Sequence, residues 1–416
     1  MTLRCLWVLA VAGACGVVPY GHAAESLRLE EAILRALQAN PTLQAETARV
    51  QAVRHRASRE ALPAPFVVGA ELENVAGSGG LNGTSSAETT LRIGRVLEAG
   101  GKRAARQALG GAEVDQQGNV AALARRDIAS TTALRFIQVA ADQAHIEHAD
   151  ERVQQAKRTR REVAHWVHAA RNPDADLHAA EIVLAEAELE REQAGQALAA
   201  SKARLAASWG DLAPDFERVQ VDLGALPALD DFDALAARLP ATPQQRATEL
   251  EARTIEARRR VAMASARPDL ELSLGVRRLQ ATDDQGLVMS VSMPLGNRRR
   301  SAFSVAEADA DLASLQARAE AAHIERRQQL FDLYQALQQA QSEIASLQHR
   351  MLPKAEEAVR STRRGFEAGR FSFLSLAQAE KTLFELRERQ LQAAARYHTL
   401  LIEVERLTAP ALDAAP

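Results

Sequence analysis

The chain has 416 residues, a formal net charge of −3 and only 4% aromatic residues. That length suits two or three ordinary domains or one elongated architecture, and the near-neutral charge gives no general attraction to nucleic acid. So few aromatics are poor stock for a large globular core, whereas long tracts of Ala, Glu, Arg, Leu and Gln are the composition of extended helices and coiled coils.

The first 24 residues read as a secretory signal peptide. Arg4 precedes an apolar run from Cys5 to Val18, and small residues follow at Gly21, Ala23 and Ala24. The run is shorter than the roughly 20 residues a spanning helix needs. Both cysteines, Cys5 and Cys15, fall in this segment, so the mature chain is expected to hold no disulfide. A second reading makes Cys15, in "AGAC", a lipidated N-terminus. No later segment has 18 consecutive apolar residues, so no transmembrane helix is expected. An exported chain of this kind floats, lies on a membrane, or spans one as a β-barrel.

The rest reads as two copies of one unit, 25–225 and 226–416. "QANPTLQAETARVQAVRHRA" is echoed by "PATPQQRATELEARTIEARRR", each with a proline (Pro41, Pro243) just inside a helix start. Strands are predicted at about 64–75 and 87–97, then a long helix at about 102–169, a tip at 169–177 and a return helix to about 209. In the second copy the strands fall at about 268–279 and 286–295, the long helix at about 298–367, the tip at 368–376 and the return helix ends near 408. "DLHAAEIVLAEAELE" and "SLAQAEKTLFELRER" align at an offset of 199. Apolar positions such as Leu177, Ala180, Leu184 and Leu376, Ala379, Leu383 alternate by three and four, the period of supercoiled helices. Gly110-Gly111 is a candidate kink in the first long helix.

The four strands alternate apolar and polar residues, as in Phe66, Val68, Ala70, Leu72 against Val67, Gly69, Glu71, Glu73. Their length is that of strands crossing a bilayer at a tilt, and the loops between partners are polar and Gly-rich. Four strands cannot close a barrel, and open edges in lipid leave unpaired N–H and C=O groups. Three copies would give twelve strands and a lumen, so a homotrimer is expected. Basic runs open both long helices just below the strands. Lys102, Arg103, Arg298 and Arg299 are therefore candidates for the membrane interface with outer-membrane lipid.

With these features the sequence resembles the TolC-like outer-membrane efflux protein family over nearly the whole mature chain. "LRLEEAILRALQANPTL" (27–43) and "GFEAGRFSFLSLAQAEKTLFEL" (365–386) resemble the family's two signatures. "VLEAGGKRAAR" (96–106) is similar to the heavy-metal branch of the cobalt–zinc–cadmium type, with Ala99 where that branch usually has Leu. The resemblance implies a mainly α fold with a small β part. As a trimer it would form a 12-stranded transmembrane β-barrel continued by a long periplasmic α-helical barrel, in the outer membrane of a Gram-negative bacterium. It also implies a tripartite system with a periplasmic adaptor (a membrane fusion protein) and an inner-membrane RND pump, passing divalent heavy-metal cations. Drug efflux or type I protein secretion on the same fold, and a periplasmic coiled-coil adaptor, are the alternatives.

In the family the tips close the tunnel and meet the adaptor. Pore-constriction candidates here are Asp174, Asp176, Glu367 and Arg370, and adaptor-contact candidates are Gly369, Phe371 and Phe373. A carboxylate repeated by three-fold symmetry becomes a ring that selects cations. The competing readings are helix caps for Asp174 and Asp176 and tip packing for the phenylalanines. Gly369 is expected to turn the chain through a left-handed backbone. The histidine pairs His145/His148 and His165/His168 share helix faces but lie about 30 Å apart along one helix, so they do not make one metal site. No catalytic constellation is present, so no enzyme activity and no cofactor are expected.

Overall fold

The computed structural model describes residues 26–410. The signal-peptide segment and Cys15 lie outside the described residues. The chain runs β1 (Ser26–Leu27), α1 (Leu29–Ala39), α2 (Pro41–Glu60), β2 (Phe66–Glu73), β3 (Glu88–Leu97), α3 (Lys102–His168) and α4 (Asp174–Ala206). After a short strand β4 (Arg218–Val219) and helix α5 (Phe232–Ala236), the order repeats. It continues with α6 (Pro243–Ser265), β5 (Leu270–Leu279), β6 (Asp284–Ser292), α7 (Asn297–Ser346), α8 (Leu352–Glu367) and α9 (Phe373–Thr408).

The helices form where the sequence pattern places them. Pro41 and Pro243 open α2 and α6, where a missing N–H is costless. Asn40 caps α2 by accepting from the Thr42 N–H at 2.8 Å. α3 is a single helix of 67 residues, about 100 Å long. It passes through Gly110 and Gly111 without a break in the helix. A Cβ on Gly110 would stand 2.7 Å from that of Ala57, so this glycine lets α2 lie close against α3. The second long helix is not one element. A π turn at Leu347–Met351 separates α7 from α8, with Pro353 in the first turn of α8. Proline lacks the donor and its ring crowds the carbonyl four residues back, and a widened turn relieves both.

The strands join in one antiparallel sheet of order β2-β3-β5-β6. Its register puts Val68, Ile93, Leu274 and Met289 in one row, and Gly69, Arg92, Gly275 and Val288 in the next. Period-2 alternation therefore makes one face mainly apolar and the other mainly polar across all four strands, with Arg95 and Arg278 toward the two ends of the apolar one. The strand from each repeat that neighbours the other repeat, β3 and β5, is paired on both sides. The outer edges of β2 and β6 have no partner among the described residues.

The largest core lies midway along the helices, where α3, α7 and α9 meet around Phe136, Leu330, Leu337, Ile344 and Tyr397. The connection between the repeats straps across it. Phe216, Val219, Leu223, Leu235 and Leu239 are buried there, and β4 pairs in parallel with β1. Tyr397 donates its hydroxyl to the Pro227 carbonyl at 2.5 Å, and Gln143 accepts from Val219 N–H at 2.7 Å while donating to its carbonyl at 3.2 Å. The strap crosses the repeat boundary near 225 and closes off the backbone groups that a linker would leave unpaired.

Candidate functional site

The sheet carries two chemically distinct walls. One face holds Phe66, Val68, Leu72, Leu91, Ile93, Leu274, Val276, Leu287, Met289 and Val291. These side chains are uncovered, with Val68 77% and Met289 74% exposed. An apolar surface this continuous on an otherwise charged chain needs lipid or protein over it. The opposite face carries Glu71, Glu73, Glu88, Arg92, Glu271, Arg277 and Asp284. Arg277 bridges Glu73 at 3.0 Å and Glu88 at 2.9 Å, and Arg92 reaches Glu71 at 3.5 Å. A bilayer-crossing sheet has this arrangement when its polar face lines water.

Below the sheet, the helix starts are tied to the strand ends. Lys102 pairs with Asp269 at 2.7 Å, and Arg103 donates to the Ala61 carbonyl at 2.9 Å. Arg106 forks onto both oxygens of Glu98, whose hydrogen bonds hold that carboxyl below the usual range. Of the four expected interface cations, Lys102 and Arg103 thus serve the junction itself. Arg298 and Arg299 are exposed at the head of α7.

The two tips are built alike. In the first, Ala170 N–H donates to Val167 O at 2.9 Å and Arg171 N–H to Trp166 O at 2.9 Å. In the second, Gly369 N–H donates to Phe366 O at 2.9 Å and Arg370 N–H to Gly365 O at 2.8 Å. Both are Schellman terminations with a left-handed residue after the cap, φ 52° at Ala170 and 68° at Gly369. The return helices begin at Asp174 and Phe373, inside the segments 169–177 and 368–376.

The tip candidates separate by environment. Asp174 is exposed, and Asp176 is half-buried and accepts from Asn172 Nδ2 at 2.7 Å. The cap position of α4 is Pro173, without a side-chain bond, so neither aspartate caps the helix. They stand in its first turn, where negative charge suits the macrodipole. Glu367, Gly369, Arg370 and Phe371 are exposed on the second turn. Phe373 is buried, at 2% exposure, in a cluster with Val163, Ala180, Phe366 and Leu376. It packs the tips together, and its ring is not offered to a partner. Trp166 and Phe366 meet edge-on at 6.4 Å in the same place, joining the hairpins of the two repeats.

Just inside the tips lies a network that the sequence reading missed. Glu380 of α9 is buried and accepts from Gln155 Nε2 at 2.9 Å, from Thr159 Oγ1 at 3.4 Å and from Arg363. Arg363 of α8 also reaches Glu162 of α3 at 3.1 Å. Burial raises the Glu380 pKa, against the pull of Arg363 and the hydrogen bonds. Its counterpart 199 positions earlier, Glu181, is only half-buried, and its pKa is held low by its hydrogen bond to Arg160. The repeat alignment pointed to both glutamates, and only packing distinguishes them.

The histidines are separated as the spacing requires. His145 Nδ1 lies 2.8 Å from Glu388 Oε2 in a cleft shared with His148, Arg152, Lys381 and Arg389. His165 and His168 are exposed at the end of α3. Among the described residues, no three ligating side chains converge on a common metal position.

Residues 235–409 match the family described as Outer membrane efflux protein. The chain is 28% identical over 325 residues to the cobalt-zinc-cadmium resistance protein CzcC of Cupriavidus metallidurans, covering 78% of this chain and 77% of that one. Its fold is similar to that of CusC, described for its transmembrane channel formation, with TM-score 0.78, 16% identity and coverage of 94% and 95%. It is likewise similar to the outer membrane protein VceC of Vibrio cholerae, with TM-score 0.75, 17% identity and coverage of 92% and 96%. The open state of the Neisseria gonorrhoeae MtrE outer membrane channel gives TM-score 0.74 at 16% identity, with coverage of 92% and 89%. The fold read from the sequence is borne out, a mainly helical chain with a small sheet like that of these solved structures, and the family resemblance is matched over residues 235–409.

Proposed function

From the efflux-protein match over its second repeat and a fold shared with solved channels over 94% of its length, we propose that this chain is an outer-membrane efflux channel. Three copies close a barrel of twelve strands, and their paired hairpins continue it into the periplasm. The channel conducts passively and performs no chemistry. It works with a periplasmic adaptor at the tips and an inner-membrane RND pump as the source of energy. The cargo is divalent heavy-metal cations.

The observation that carries this reading is the four-stranded sheet, apolar on one face, charged on the other and open at both edges. In lipid each unpaired edge group costs several kcal/mol, so the sheet must be completed by further copies. Eight strands from two copies would fill with side chains, whereas twelve leave a water path. The cargo assignment is supported by the 28% identity to a cobalt-zinc-cadmium resistance protein and by the carboxylate-rich polar face. A fold alone does not choose cargo.

The test is a growth-inhibition profile of a deletion strain against zinc, cobalt, cadmium, nickel, copper and silver beside a drug panel. Sensitivity to divalent metals, restored by the gene, is the expected result. Sensitivity to drugs alone would retain the channel and overturn the cargo.

A further inference from the structure

The polar face of the sheet is uneven. Five carboxylates (Glu71, Glu73, Glu88, Glu271 and Asp284) share it with two guanidiniums, Arg92 and Arg277. Both arginines lie along the wall instead of projecting from it. The Arg92 side chain runs across Gly69, where a Cβ would stand 3.2 Å from its Nε, and ends 3.5 Å from Glu71. Arg277 runs across Thr90, donating from Nε at 3.0 Å, and spans Glu73 and Glu88. In its own row Arg92 is the sole charge, flanked by Gly69, Gly275 and Val288.

We propose that Arg92 is a selectivity-determining counter-ion of the lumen, held flat by the gap at Gly69, and that Arg277 plays the same part toward the outer end. The inference rests on the barrel reading, which makes this face the lumen. Unscreened, the carboxylates would hold a divalent cation as firmly as they attract it. Conduction needs sites that a cation enters and also leaves. Guanidiniums laid between them lower the well without crossing the path. At moderate salt the Debye length is about 10 Å, so a charge on this wall is felt across neighbouring rows.

The measurement is the local potential beside Arg92. The only cysteines, Cys5 and Cys15, lie in the N-terminal segment. Ser273→Cys therefore places a single reporter among the described residues, on the polar face and two rows from Arg92. Its modification rates with a cationic and an anionic methanethiosulfonate are compared in the full chain reconstituted in vesicles, with the reagents applied at the outer mouth. This reading does not depend on whether the tips are open. The cationic reagent should react faster, and Arg92→Gln should raise the cation-to-anion ratio by about threefold at 0.1 M salt. Arg92→Lys should leave the ratio near the parent value. Gly69→Val should lower it by lifting the guanidinium off the wall. An unchanged ratio in Arg92→Gln, or an equal shift in Arg92→Lys, would overturn the proposal and leave the channel standing. Leu274→Cys, on the apolar face, reports separately on which face lines the lumen. If it reacts with both reagents while Ser273→Cys reacts with neither, the lumen assignment fails and the proposal fails with it.

Discussion

Ala170 and Gly369 stand 199 positions apart and hold the same left-handed backbone at the same place in the two hairpin tips. Each follows the helix cap and donates to the carbonyl three residues back. Glycine adopts this conformation freely, while alanine brings its Cβ against the following carbonyl. Ala170→Gly should therefore stabilise the tip by about 1 kcal/mol, and Gly369→Ala should weaken it by a similar amount. Hydrogen exchange at the tip amides reads this directly. A loss of protection in Ala170→Gly would refute the strain.

The buried Glu380 gives the tips a pH dependence. Its folded pKa is raised, chiefly by burial, so the packed state keeps this proton to higher pH than the unfolded chain does. That contribution is fully present below the ordinary glutamate pKa and is lost as pH rises through the raised one. Thermal melts of the extracted protein should show stability falling with pH across that window. Glu380→Gln should flatten the slope there. An identical slope in the variant would remove Glu380 as its origin.

Arg363 should behave oppositely. It compensates Glu380 and also holds Glu162 on α3. Arg363→Gln leaves a buried carboxylate without its cation, a change that costs up to about 3–5 kcal/mol at a fully buried pair and less at this partly exposed one. The double variant with Glu380→Gln should recover much of the loss. A double variant as unstable as the single one would mean that the two residues are not coupled.

The two phenylalanines of the second tip should separate in experiment. Phe373 is buried in the cluster that joins the hairpins, so Phe373→Ala should cost about 3–5 kcal/mol. Phe371 is 51% exposed, and Phe371→Ala should cost under about 1 kcal/mol. If the exposed tip meets the adaptor, Phe371→Ala should nonetheless weaken adaptor binding in a pull-down. Unaltered capture would take Phe371 out of that interface.

The two faces of the sheet predict opposite tolerance to charge. Met289→Arg puts a guanidinium on the apolar face, at a cost of about 2–4 kcal/mol near mid-bilayer. The neighbouring Ser290→Arg points to the polar face and should assemble normally. Membrane fractionation should find the first depleted from the outer membrane and the second retained. Equal recovery would deny the apolar face its contact with lipid.

Much of this architecture was legible in residue spacing. Period-2 runs such as Leu270 to Val276 marked the strands, and heptad seams marked the hairpins, because both patterns repeat over many residues. The left-handed turn at Gly369 was readable because one residue type suits it. What was not legible depends on contacts between distant segments. The strap over Tyr397 lacks periodicity. Glu380 and Glu181 look alike in sequence and differ only in what α3 and α8 place beside them. The break before α8 falls at Pro353 inside an otherwise continuous helical pattern, and of the glycine pair in α3 it is Gly110 alone that serves close packing, against Ala57 of α2.

One chain supplies a third of a barrel, and native mass spectrometry of the protein extracted from outer membranes in mild detergent reads this without intermediates. The expected species holds three chains and falls apart only on denaturation. A stable monomer or a dimer would rule the trimeric barrel out, because four strands cannot close and eight leave no lumen.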